Sequence, residues 1–266
     1  MESRTARIAL RLAAAFVLAF LYIPLFVVFL YAFNDSVAQD WPPKGLTLKW
    51  FSLAWDDSNM REALGNSIKI ALIATLVALV LGSLAAFSVH RFRFFGRESV
   101  SFVLVLPIAM PGIVTAMALR SAMGTTGVTF SLWTIMIGHA TFCVVVIFNN
   151  VIARLRRTTG SIIEASMDLG ADGWQTFRFV TMPSMATALV AGALLAFALS
   201  FDEIIVTNFL SGAEMTLPKW IFNAIRLPRN RPVANAVALI VIVLSLIPVY
   251  FAQRLANPSE PERAGR

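Results

Sequence analysis

Charges along this chain fall in short clusters, and between them lie apolar runs long enough to cross a bilayer. Uncharged stretches occupy Leu12–Phe33, Ile70–Val89, Ser99–Leu119, Ser121–Ala153, Phe179–Phe201 and Pro232–Gln253. About 20 helical residues, rising ~1.5 Å each, cover a hydrocarbon core of about 30 Å. The fourth stretch holds 33 residues, too many for one crossing; Gly124 and Gly127 place a loop ahead of a span near Ser131–Ile152. The pattern predicts an all-α polytopic membrane protein with six transmembrane helices. Arg4, Arg7 and Arg11 ahead of the first run resemble the start of a secretory signal. Its 22 uncharged residues exceed the usual apolar region of about 7–15, and no small-x-small cleavage site appears before Asn34. The run is read as a retained helix with a kink expected at Pro24.

Composition agrees with the pattern. Of 266 residues, 58% are hydrophobic and 14% charged, with a mean hydropathy of +0.75. A soluble domain carries about 25% charged residues, so a soluble enzyme and a disordered chain are both excluded. One cysteine, Cys143, excludes an intrachain disulfide and a Cys-based zinc site. The net charge of +7 reads as a marker of membrane orientation rather than of nucleic-acid binding. With the N-terminus inside, 13 basic residues fall on the cytoplasmic side and 9 on the other, which favours both termini in the cytoplasm. The basic segment Lys219–Arg231 runs against that bias.

The chain thus divides into an N-terminal helix with an external loop (1–63), a transmembrane domain (64–253) containing an internal polar loop (154–183), and a cytoplasmic tail (254–266). The external loop carries Trp41, Trp50 and Trp55, which suit the membrane–water boundary. The end of the tail, Pro258–Arg266, is short, charged and expected to be disordered.

The internal loop is the most informative segment. Ile162–Leu169 suits a short amphipathic helix that Gly170 ends by adopting positive φ. Asp172 suits the N-cap of a second helix through Trp174, Phe177 and Val180, up to Pro183. The expected product is a helix–glycine–helix elbow offering a small apolar knob to a partner. An amphipathic loop lying on the lipid surface is the blander reading. The spacing Glu164-Ala165-Ser166, three residues, Gly170, nine residues, Val180-x-Met182-Pro183 closely resembles the EAA motif of ABC importer permeases. That motif reads Glu-Ala-Ala, three residues, Gly, nine residues, Ile-x-Leu-Pro, and this chain departs from it conservatively at Ser166, Val180 and Met182. The resemblance implies a coupling helix that docks on an ATPase, with Glu164, Ala165, Ser166, Asp168, Gly170, Ala171 and Pro183 as its site residues.

The resemblance extends to polyamine importer permeases, and to the second of their paired subunits. Phe33-Asn34-Asp35-Ser36, Arg91-Phe92-Arg93-Phe94, His139-Ala140-Thr141-Phe142-Cys143 and Leu199–Thr207, followed by Gly212 and Leu217-Pro218, are similar to that group. The third span, with Pro107, Pro111 and Arg120, matches poorly. The family implies a type I permease fold, alternating access, a sister permease, two cytoplasmic ATP-binding subunits and an extracytoplasmic solute-binding protein. It also implies an inner membrane location, surrounding lipid and uptake of spermidine or putrescine. No Gly-x4-Gly-Lys-Ser/Thr loop is present, so ATP hydrolysis is expected on a separate subunit, with no cofactor and no metal in this chain. Importers of another small amine, an anion or iron, a secondary transporter and a membrane enzyme are the alternatives.

Two polar features lie inside the spans. His139 is expected to bond across helices as a core residue, and Cys143 to be buried packing. Asp202 and Glu203, about 27 Å along the fifth span from Ser184, suit either a cation pathway or a structural pair with Lys219 or Arg226.

Overall fold

A computed structural model describes residues 4–43, 45–157 and 160–256. The tail segment Pro258–Arg266 lies outside them. Every named element is helical: α1 Arg4–Phe33, α2 Lys49–Asp56, α3 Ser58–Arg91, α4 Arg97–Ala109, α5 Gly112–Thr125, α6 Leu132–Arg157, α7 Gly160–Asp168, α8 Gly173–Thr176, α9 Met182–Asp202, α10 Ile205–Leu210, α11 Leu217–Arg226 and α12 Arg231–Ala256. Among the described residues, five helical stretches are long and apolar enough to cross a membrane: Arg4–Phe33, Ser58–Arg91, Leu132–Arg157, Gly173–Asp202 and Pro228–Ile247. Each coincides with a predicted span.

The third predicted span, Ser99–Leu119, differs. It is two helices, α4 of 13 residues and α5 of 14, each about 20 Å long and so too short to cross alone. The chain is extended at Met110, with ψ of 148°. The cause is local: the Pro111 ring disfavours helical geometry at the preceding residue. α1, by contrast, runs through Pro24 as one helix of 30 residues.

The contacts divide the chain into two compact units. The larger comprises Glu62–Lys219 and Ser245 onward. Its core is a layer of small residues from α3 (Ala74, Ala78, Ala86) against Ala140, Cys143, Ile147, Phe148 and Val151 of α6 and Met185 and Ala196 of α9. A second cluster joins Ile70 of α3, Ala116 of α5, Ile135 and Met136 of α6, and Val206 and Leu210 of α10. Small residues let membrane helices approach closely, and lipid offers no hydrophobic gain to replace that packing. At Gly82 a Cβ would lie 2.7 Å from the Val144 carbonyl oxygen and 2.9 Å from Ile147 Cβ. Gly82→Val should therefore force α3 off α6 and cost about 1–3 kcal/mol. A fall in the yield of monodisperse solubilised protein, with Gly65→Ala as the neutral control in open space, would check it.

The smaller unit comprises the chain up to Arg61 and Trp220–Leu244. The loop after α1 folds back on the end of that helix. Thr47 N–H donates to the Phe33 carbonyl at 2.8 Å and Asp35 N–H to Gly45 at 3.0 Å, while Lys49 pairs with Asp35. Trp50 is buried, 5% exposed, and its indole donates to the Asn34 carbonyl at 2.7 Å. Trp50 is thus a packing residue that holds the loop, whereas its neighbours Trp41 and Trp55 are exposed in the manner of boundary aromatics.

Candidate functional site

The polar loop folds as the expected elbow. α7 closes in a Schellman motif: Gly170 N–H donates to the Met167 carbonyl at 2.9 Å and Ala171 N–H to Ser166 at 3.1 Å. This needs Gly170 at a φ of +88°. Asp172 then caps α8, its carboxylate accepting from Gln175 N–H at 2.8 Å while the Gln175 side chain accepts from Asp172 N–H at 2.9 Å. Asp172→Ala removes this reciprocal pair and should destabilise the second arm by about 1 kcal/mol, seen as faster amide exchange confined to residues 172–177.

The two arms are held together by a hydroxyl pair, Ser166 to Thr176 at 3.1 Å. Ser166, a departure from the family motif, thus has a local use, since an alanine there makes no such bond. Trp174 stacks on Phe177, which meets Phe87 of α3 edge-on at 5.4 Å. Arg154 at the end of α6 donates through Nε to the Ser184 carbonyl at 2.9 Å. Glu164, Ala165 and Asp168 are exposed along α7, Ala171 is half-buried, and Leu169 projects at the tip, 90% exposed. Sequence reasoning left Leu169 out; its signal was an apolar residue immediately before the turn glycine.

The second arm does not stop at Pro183. Between α8 and α9 the backbone widens into a π turn, Phe177–Thr181, with Met182 N–H bonding to the Phe177 carbonyl. Pro183 follows it near the start of α9, where a prolyl ring would crowd the carbonyl four residues back in a regular α-helix. The arm and the fifth span form one continuous helical stretch from Gly173 to Asp202.

Asp202 and Glu203 stand at the far end of α9, about 30 Å from Met182, and so form no common site with the elbow. The helix ends at Asp202, and Glu203 is extended, with ψ of 115°. The Glu203 carboxylate turns onto α10, accepting from Ile205 N–H at 2.7 Å and Val206 N–H at 3.0 Å. Asp202 is exposed. Lys219 is engaged elsewhere, donating to Ser211 Oγ at 2.8 Å and to the Glu214 carbonyl at 3.2 Å. Arg226 lies over the Phe222 ring at 4.1 Å.

Behind this break lies a buried polar chain. His139 of α6, 1% exposed, meets Ser200 Oγ of α9 through Nδ1 at 2.8 Å and Thr207 Oγ1 of α10 through Nε2 at 3.0 Å. Thr207 gives its own proton to the Glu203 carbonyl at 2.8 Å, so it accepts from His139 Nε2–H, and Ser200 donates to Nδ1. His139 is therefore the inter-helix residue expected, and Cys143 lies beneath it, its thiol on the Ala196 carbonyl at 3.4 Å.

Geometry and topology together define an all-helical membrane protein with a polar elbow that leads into the fourth of its five long helical stretches among the described residues. Residues 78–259 match the family model described as "Binding-protein-dependent transport system inner membrane component". The chain is 33% identical over 254 residues to the spermidine/putrescine transport system permease protein PotC of Haemophilus influenzae, covering 94% of this chain and 98% of that one. It is 34% identical to the putrescine transport system permease protein PotI of Escherichia coli, covering 92% and 89%. A bacterial ABC transporter involved in alginate import has the same fold, with a TM-score of 0.68, 18% identity and coverage of 96% and 98%. The chain belongs to the family of inner membrane components of binding-protein-dependent transport systems. It is a membrane-embedded transport subunit of the type I ABC importer fold, and not itself the ATP-hydrolysing enzyme.

Proposed function

We propose that this chain is one of two permease subunits of an ATP-driven importer for polyamines, with both termini in the cytoplasm. The observation that carries the substrate class is the likeness to spermidine/putrescine and putrescine permeases over more than nine-tenths of the chain. A sister permease completes the pathway, two ATPases bind the elbows on the cytoplasmic side, and a solute-binding protein delivers substrate from outside. A solved alginate transporter of the same fold is in complex with its periplasmic protein.

In this reading Glu164, Ala165, Ser166, Asp168, Gly170, Ala171 and Pro183 form the coupling element, with Leu169 as its apolar tip. The elbow is suited to transmit force because it is capped at both arms and continuous with the fifth span. ATPase closure draws the elbows together and opens the cavity outward; hydrolysis resets it. The decisive experiment reconstitutes the complex with its binding protein and measures ATP hydrolysis and uptake. Stimulation by spermidine or putrescine is the expected result. Stimulation by an anion or an iron chelate alone would overturn the substrate class.

Asp202 and Glu203 are assigned to the outer pathway, where fixed carboxylates offset the cost of bringing a polycation to low dielectric. Asp202→Asn with Glu203→Gln removes charge, while the glutamine retains an oxygen to accept from Ile205 and Val206. Assembly should be unchanged, and uptake slower and less sensitive to ionic strength. Unchanged uptake in reconstituted vesicles would reduce the pair to a helix cap and a solvated helix end.

A further inference from the structure

The turn joining α3 to α4 reads Arg91-Phe92-Arg93-Phe94-Phe95-Gly96-Arg97. α3 is a membrane span ending at Arg91, and α4 begins at Arg97, so the turn lies at the edge of the bilayer. Its rings are largely exposed: Phe95 fully, Phe92 61% and Phe94 41%. Exposed phenylalanine rings are costly in water, whereas beside the bilayer they can be buried in acyl chains with arginine at the headgroup level. The apolar strip continues onto α4 through the exposed Val100, Phe102 and Val103. Three guanidiniums alternate with the rings, and Glu98 is the one carboxylate between Arg91 and Ser99. Gly96, at a φ of +84°, turns the backbone there and leaves an open cleft between Arg93 and Ser99.

We propose that this turn is a docking surface for anionic phospholipid: the rings seat among the upper acyl chains while Arg91, Arg93 and Arg97 bind headgroup phosphates. Charge complementarity and the exposed apolar residues that follow on α4 select lipid over a protein partner. The inference rests on membrane embedding, and not on the coupling or substrate reading.

The test places the complete transporter in nanodiscs of phosphatidylcholine alone or mixed with phosphatidylglycerol. Phe95→Cys carries a nitroxide, measured against the identically treated parent; Cys143 is buried and does not compete. The label should collide with oxygen in preference to an aqueous nickel chelate. Preferential collision with the chelate, or protection that appears only when the ATPases are present, would overturn the proposal. Spin-labelled phosphatidylglycerol should be retained over phosphatidylcholine. Arg91→Gln/Arg93→Gln/Arg97→Gln should lower that preference by up to about fivefold per guanidinium, and the triple lysine variant should keep most of it. An unchanged preference in the glutamine variant would also overturn it.

Discussion

Gly170→Val is expected to abolish uptake while leaving the chain inserted in the membrane. A Cβ at this position would meet nothing within 4 Å, so the effect comes from the backbone alone. The residue sits at a φ of +88°, where an L side chain costs about 1–2 kcal/mol and a β-branched one more. Ending α7 in another conformation breaks the two Schellman bonds and swings α8 away from the Ser166–Thr176 contact. If the docked elbow is disfavoured by that amount, the ATPase-bound population falls about tenfold or more. Asparagine tolerates the left-handed region, so Gly170→Asn should retain most function, Gly170→Ala less and Gly170→Val least. Co-purified ATPase and substrate uptake in vesicles should fall in that order. A steric or packing role for Gly170 predicts an order by side-chain volume instead, with alanine better than asparagine, and that result would remove the coupling reading of the turn.

His139→Leu should be the most damaging single change in the interior. It strands the buried Ser200 hydroxyl of α9 and removes the donor to Thr207 of α10, whose own proton stays on the Glu203 carbonyl. Each unpartnered buried group costs about 1–3 kcal/mol, and bonds between membrane helices are worth about 1 kcal/mol, so a loss of about 2–4 kcal/mol is expected. The loss is read as a lower midpoint of thermal inactivation of the solubilised complex. Adding Ser200→Ala removes the stranded group and should restore more than half of it. A His139→Leu protein as stable as the parent would show that the hydroxyls find other partners and that the chain of bonds does not hold α9 and α10 to α6.

What could be read from the sequence follows from how local each determinant is. A backbone in lipid must bond to itself, so each span is written in contiguous residues and α3, α6, α9 and α12 fall where the uncharged runs lie. The elbow is equally local: Gly170 and Asp172 act on neighbours within three residues and form the turn and cap that the spacing predicts, and Gln175 completes the second. The break at Met110 was legible too, since Pro111 acts on the residue before it; run length alone concealed it.

Other features depended on residues far apart in the chain. Trp50 looked like a boundary aromatic until the loop folded back and brought its indole to Asn34. Arg120 lies just past an apolar run because its guanidinium donates to the Phe209 carbonyl and covers the Phe130 ring. His139 finds its partners 61 and 68 residues away. Hydropathy and spacing thus determined where the helices run and where the elbow turns, because both are set by bonds within one turn of the backbone. Tertiary packing decided which polar side chains share a proton across helices, because only the assembled bundle brings those donors and acceptors within reach.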